Sequence, residues 1–143
     1  MQGSPFPTGN GPVSLAVDAG GKYLYVANSR DGNISGYSID GSKGTLAPLG
    51  GFPLASGSNP RAMAADAGGF VYVANGGSDS LSVFQVNART GALSPVTGSP
   101  FSTGHEPSAV AEYTPGNFIY VTNQASNSIS GFTHTTPGAI SRS

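Results

Sequence analysis

Cysteine is absent from the 143 residues, which excludes disulfides, thiolate catalysis and cysteine-bound zinc. Charge is scarce too: 9% of residues are charged, against roughly 25% in an ordinary soluble domain. The net charge is −1 with no basic stripe, so neither nucleic acid nor an anionic membrane is expected as a partner. No apolar run approaches the ~18 residues of a membrane span, and no basic-then-apolar stretch of the signal-peptide kind is present. Membrane insertion is therefore not expected. Helix signals are missing as well, since no stretch offers a capped amphipathic pattern. What the chain has in plenty is glycine (22) and proline (11), with apolar residues in short clusters between them. That profile predicts an all-β, turn-rich protein.

The length fits one domain or a segment of a repeat array, and internal repetition decides for the segment. Tyr25-Val26-Ala27-Asn28 returns as Tyr72-Val73-Ala74-Asn75 and as Tyr120-Val121-Thr122-Asn123, at intervals of 47 and 48 residues. Matching columns follow: Ile34, Leu81 and Ile129; Tyr37, Phe84 and Phe132; then Gly44-Thr45-Leu46, Gly91-Ala92-Leu93 and Gly138-Ala139-Ile140. A Gly-x-Pro motif recurs at Gly3, Gly51 and Gly98, each copy leading to Pro12, Pro60 or Pro107.

Within each unit the period is two, so Tyr23, Tyr25 and Ala27 point one way and Leu24, Val26 and Asn28 the other. Gly20-Gly21, Gly68-Gly69, Pro115-Gly116 and Asp31-Gly32 read as hairpin turns. The first unit then has strands near Val13 to Asp18, Lys22 to Asn28, Asn33 to Ile39 and Thr45 to Leu54. Tandem four-stranded units of this length predict a β-propeller with three blades. A β-sandwich is the runner-up, but it would not require three near-identical units. The units span about 1–48, 49–95 and 96–143, and the expected cut falls inside a fourth strand. Its second half (Gly3 to Phe6) opens the chain and its first half (Gly138 to Ser143) ends it. The expected object is a partial ring, or half of a six-bladed ring formed by two chains head to tail.

Tyr120-Val121-Thr122-Asn123 resembles the signature of the bacterial YVTN propeller repeats. With the Gly-Ser-Pro-Phe and Thr-Gly-Ala-Leu stretches, the unit resembles the lactonase family, which includes 6-phosphogluconolactonase and the fungal carboxymuconate-lactonizing enzymes. The resemblance implies blades of a seven-bladed ring and lactone hydrolysis by His, Glu and Arg side chains at the channel mouth. Asn59-Pro60-Arg61 matches one family stretch, with Ala62 where the family has His. Asn123-Gln124 matches a second, with the Gln124 amide where the family has a carboxylate.

On this topology Asn10, Ser58, His105 and Glu106 reach the ligand face from one set of loops. Arg30, Asp31, Ser78, Asp79 and Gln124 reach it from the other, and Arg61 heads an inner strand. Lactone hydrolysis needs a base and a cation or N–H donors for the oxyanion. His105 or Glu106 would be the base, and Arg61 would hold a substrate carboxylate or phosphate. Against this, His105 and Glu106 share columns with the plain turn residues Asn10-Gly11 and Ser58-Asn59, and Arg30-Asp31 reads as a solvated turn with a surface ion pair. Asp18 and Asp66 read as Asx-turns. Asn28, Asn75 and Asn123 recur once per blade, which points to bonds with the adjacent loop backbone. The repeated Tyr and Phe columns read as packing between blades. The two histidines, 29 residues apart on different predicted loops, make no metal site, and no cofactor is implied. Asn33-Ile34-Ser35 is a glycosylation sequon set in a predicted strand.

Two functions compete: a binding or structural module, favoured by the altered catalytic columns, and a lactone hydrolase or part of one. The expected partners are a second copy of the chain and a small-molecule or carbohydrate ligand. A Ser/Asn/Gly/Thr-rich surface without Lys clusters favours the periplasm or the cell exterior over the cytoplasm.

Overall fold

Wherever the two-residue alternation runs, the chain is extended. A computed structural model describes residues 3–135 and 138–143. The first blade holds β1 (Pro12–Val17), β2 (Tyr23–Asn28), β3 (Asn33–Ile39), β4 (Leu46–Pro48) and β5 (Leu54–Ala55). The second holds β6 (Pro60–Ala65), β7 (Phe70–Asn75), β8 (Ser80–Val86), β9 (Leu93–Pro95) and β10 (Phe101–Ser102). The third holds β11 (Pro107–Tyr113), β12 (Phe118–Asn123), β13 (Ser128–Thr135) and β14 (Ala139–Arg142). Each blade is an antiparallel meander, and β1, β6 and β11 are neighbouring inner strands. Among the described residues no helix is long and apolar enough to cross a membrane.

The fourth strand departs from expectation. It does not run unbroken from Thr45 to Leu54 but splits into β4 and β5, both paired with β3. Three steps along β3, from Tyr37 back to Ile34, are matched by six along the fourth strand, from Pro48 to Leu54. The surplus residues bulge out because Gly51 takes φ +83°, and Pro53 has no N–H to give a ladder. The second blade repeats this with β9 and β10.

Blade-to-blade packing follows the Tyr column. Tyr25, Ala27 and Ile34 of the first blade meet Met63, Val71, Val73 and Phe84 of the second. Tyr72, Ala74 and Leu81 of the second meet Ile119, Val121 and Phe132 of the third. Covered on both sides, β7 is buried at every residue, whereas β12 alternates exposed and buried. Tyr120 is therefore a correction: it does not pack between blades but stands 47% exposed, against 1% for Tyr72 in the same column. Its side chain faces where a next blade would sit. Ile129 is 68% exposed against 0% for Leu81. Val13, Leu15 and Val17 form the corresponding open face on the first blade.

The repeated asparagines are buried and structural, through partners other than expected. Nδ2 of Asn28, Asn75 and Asn123 donates to the hydroxyls of Ser35, Ser82 and Ser130 on the third strand of the same blade. In the second and third blades that serine grips the loop: Ser82 donates to the Ser56 carbonyl at 2.7 Å, and Ser130 accepts from Gly104 N–H. Asp18 forms the expected Asx-turn, accepting from the N–H groups of Gly20, Lys22 and Tyr23. The sequon lies within β3, with Ile34 fully buried.

Candidate functional site

Each inner strand begins with a register irregularity just after its proline, at Pro12/Ser14, Pro60/Ala62 and Pro107/Ala109. In the second blade the extra residue is Arg61. A bulge re-aims the side chain it carries, and Arg61 turns toward the third blade. Its Nη1 donates to Gln124 Oε1 at 3.2 Å and lies 3.5 Å from Glu106 Oε2. Gly76 makes this course possible, because a Cβ there would lie 2.6 Å from Arg61 Nε.

A second anchor joins the same cluster. Asp79 sits in the turn between β7 and β8, and its Oδ2 lies 2.8 Å from His105 Nδ1. Asp79 Oδ1 accepts the Glu106 N–H at 2.8 Å. Those bonds, the Glu106 amide first and His105 next, hold the Asp79 carboxyl below the usual carboxylate range. Ser126 completes the support, its hydroxyl accepting from His105 N–H. Sequence reasoning missed Ser126, whose only signal was its shared column with Asp31 and Ser78. Arg61, Asp79, His105, Glu106 and Gln124 thus form one continuous network at the junction of the second and third blades.

Asn10, Arg30 and Asp31 lie apart, on the first blade. Asn10 donates to Asp31 through its N–H at 2.7 Å and through Nδ2 at 2.9 Å. The Asn10 backbone first, then its side chain, holds the Asp31 carboxyl below the usual range. The expected Arg30–Asp31 ion pair is not formed among the described residues. Asn10 satisfies the carboxylate instead. Arg30 and Asp31 border an open groove shared with Ser56 and Asn59 of the loop entering the second blade. Among the described residues no group of His, Cys, Asp and Glu could hold a metal ion.

The depressed carboxyls set a pH dependence. Both are ionised partners in the fold, so their contribution is present above the ordinary carboxylate value of ~3.9 and is lost as pH falls through their lower folded values. Backbone amide resonances of Asn10 and Glu106 should therefore shift with acid midpoints below pH ~3.9. Midpoints at or above that value would contradict the two anchors.

The model of a family described as lactonase, a 7-bladed beta-propeller, matches residues 2–111. The chain belongs to this lactonase family. No curated protein matches the chain significantly. Among solved structures, the periplasmic gluconolactonase of Pseudomonas aeruginosa is 28% identical, with a TM-score of 0.79 over 97% of this chain and 40% of that one. A proposed 6-phosphogluconolactonase of Bacteroides fragilis is 21% identical, with a TM-score of 0.86 over 99% of this chain and 41% of that one. A catalytically inactive virginiamycin B lyase of Staphylococcus aureus is similar too, at 17% identity and a TM-score of 0.61 over 92% of this chain and 40% of that one. This lactonase-family chain spans about 40% of the length of these structures. Likeness to a lyase shows that the blade fold does not by itself choose a reaction.

Proposed function

We propose that the Arg61 network binds a small anionic or hydroxylated ligand, such as a sugar acid or its lactone, and that the blades serve as a binding module without strong catalysis. The observation that carries this reading is Arg61 itself. Its guanidinium is aimed by the bulge and steadied through Nη1 alone. Nε and Nη2 keep no hydrogen-bond partner among the described residues and suit a carboxylate or phosphate. Strong catalysis is disfavoured because the His105 side chain is 77% exposed, and preorganised charges act far less in water than in a dry site. Ala62 and Gln124 also remove two proton-transfer groups that the family resemblance implies.

The Asp79–His105 contact favours lactone hydrolysis as the second reading. A carboxylate on Nδ1 orients the imidazole and leaves Nε2 to take a proton from water. The Pseudomonas relative is a gluconolactonase, and that reaction fits an Arg61-held sugar acid as product. Calorimetry with 6-phosphogluconate should show binding that Arg61→Ala weakens at least ~10-fold, with hydrolysis of glucono-δ-lactone close to the buffer rate. Equal affinity in Arg61→Ala would overturn the binding role. Turnover near ~10 per second, abolished by His105→Ala, would replace the module reading with the hydrolase.

The open faces suggest a further part of this reading, a second copy as occupant. Tyr120 and Ile129 stand in the columns of Tyr25 and Ile34, which the second blade covers. Leu15 stands in the column of Met63, which the first blade covers. The face of the third blade is thus built to meet a face like that of the first, which supports head-to-tail pairing of two chains. The low charge and the periplasmic address of the Pseudomonas relative support a place in the periplasm or outside the cell.

A further inference from the structure

The two junctions between blades share one backbone frame, so each is a control for the other. Entering the third blade, the Glu106 carbonyl accepts from Gln124 N–H and the His105 carbonyl from Ala125 N–H. Entering the second, the Asn59 and Ser58 carbonyls accept from Gly76 and Gly77 N–H in the same way. Asn59 and Glu106 share a left-handed backbone too, at φ +51° and +52°. Across each junction the residue just before the third strand accepts from the next blade's incoming loop. Gly32 accepts from Ser56 N–H at 3.1 Å, and Asp79 from Thr103 N–H at 3.0 Å.

What differs is the side chain carried on that frame. At the second junction Asp79 lays its carboxylate on the loop, with Oδ1 on Glu106 N–H and Oδ2 beside His105 Nδ1, both at 2.8 Å. At the first junction the same column holds Gly32, again left-handed, at φ +65° against +49° for Asp79. No carboxylate comes from the frame there, and the exposed Asn59 N–H has no hydrogen-bond partner among the described residues. An open groove lies in its place, bordered by Gly32, Ser58, Asn59 and the exposed Arg30. Asp31 borders it as well, but both of its oxygens are engaged by Asn10, one by N–H at 2.7 Å and one by Nδ2 at 2.9 Å. The groups left over are N–H and O–H donors and a guanidinium, which suits an anion.

We propose that this groove binds a small carboxylate ion in the place that the Asp79 side chain fills one blade on. One oxygen would accept from Asn59 N–H, as Asp79 Oδ1 accepts from Glu106 N–H. The other would accept from the Ser58 hydroxyl, which stands in the column of His105, with Arg30 supplying the opposite charge. The site does not rest on the Arg61 network, because Arg61 turns away from this groove toward the third blade.

Acetate is the Asp79 side chain cut free of its backbone, and it serves as the probe. Sodium acetate replacing sodium chloride at constant ionic strength and pH 7 should shift the Ser58 and Asn59 amide resonances saturably, with a Kd of about 10 mM or tighter. Gly32→Asp installs the second junction's own carboxylate and should weaken acetate binding at least ~10-fold. A Cβ at that position would lie 3.1 Å from the Gly57 carbonyl oxygen, yet Asp79 and Asn127 hold the same column at φ +49° and +48°, so the frame accepts the change. Arg30→Gln alters only an exposed side chain and should weaken binding at least ~3-fold. Shifts that do not saturate, or unchanged affinity in either variant, would overturn the proposal. So would a response at Asn59 that Arg61→Ala removes and Gly32→Asp leaves intact, since that pattern belongs to acetate held by Arg61 alone.

Discussion

Tyr72→Ala is expected to destabilise the chain by about 3–5 kcal/mol, the range for removing a fully buried aromatic ring. Tyr72 is 1% exposed between the second and third blades, and its loss would also strip a 2.7 Å hydrogen bond from Asp66. Tyr120→Ala removes the same side chain from the same column with a different expected result. Tyr120 is nearly half exposed, so its loss within one chain should cost under about 1 kcal/mol. Its effect should fall on association instead, as a weaker dependence of Tm on protein concentration. Urea titrations measure the first effect, and thermal melts at several protein concentrations measure the second. Equal losses from the two variants, independent of concentration, would contradict an arc with an open third blade.

Ile129→Asp is expected to abolish the proposed self-association. In the first two blades the matching residues, Ile34 and Leu81, pair with Leu54 and Phe101 of the second half of the fourth strand. Among the described residues the third blade pairs β13 with β14, the counterpart of the first half of that strand, and Ile129 is 68% exposed. In the proposed head-to-tail pair the Phe6 segment of a second copy would take the place of Leu54 and Phe101. An aspartate trapped there without a counter-charge would cost on the order of 3–5 kcal/mol, at least two orders of magnitude in the association constant. Leu15→Asp, on the opposite face, should do the same, while both variants keep the β spectrum of folded blades. Four-stranded blades build rings of roughly four to eight. Unchanged association in both variants would place the contact elsewhere.

The blades were legible in the sequence because each repeat prints the same columns, and three copies turn a weak two-residue alternation into a register. The strand Tyr23–Asn28 and its two counterparts are where that register puts them. What stayed hidden depends on neighbours distant in sequence. Tyr120 reads like Tyr72, and only the position of its blade makes one exposed and the other buried. The split fourth strand hangs on a mismatch of three residues against six, which no local propensity records. At the candidate site, the residue types of Arg61, His105, Glu106, Asp79 and Gln124 were readable from their columns. Their convergence was not, since the Arg61 bulge and the reach of Asp79 to the next blade's loop are tertiary facts. Asp31 was misassigned for the same reason: Arg30 is its neighbour in the chain, but Asn10 is its partner in space. His134 lies in β13 and not on a loop as expected, in the column of Ile39 and Val86 and paired with Ile140.

Size-exclusion chromatography with light scattering, across the micromolar range, tests most directly the claim that this chain is an arc with two complementary open faces. A discrete species of twice the 14.3 kDa chain mass is expected, dissociating or aggregating when either face carries an aspartate. A well-folded, non-aggregating monomer at every concentration would contradict it.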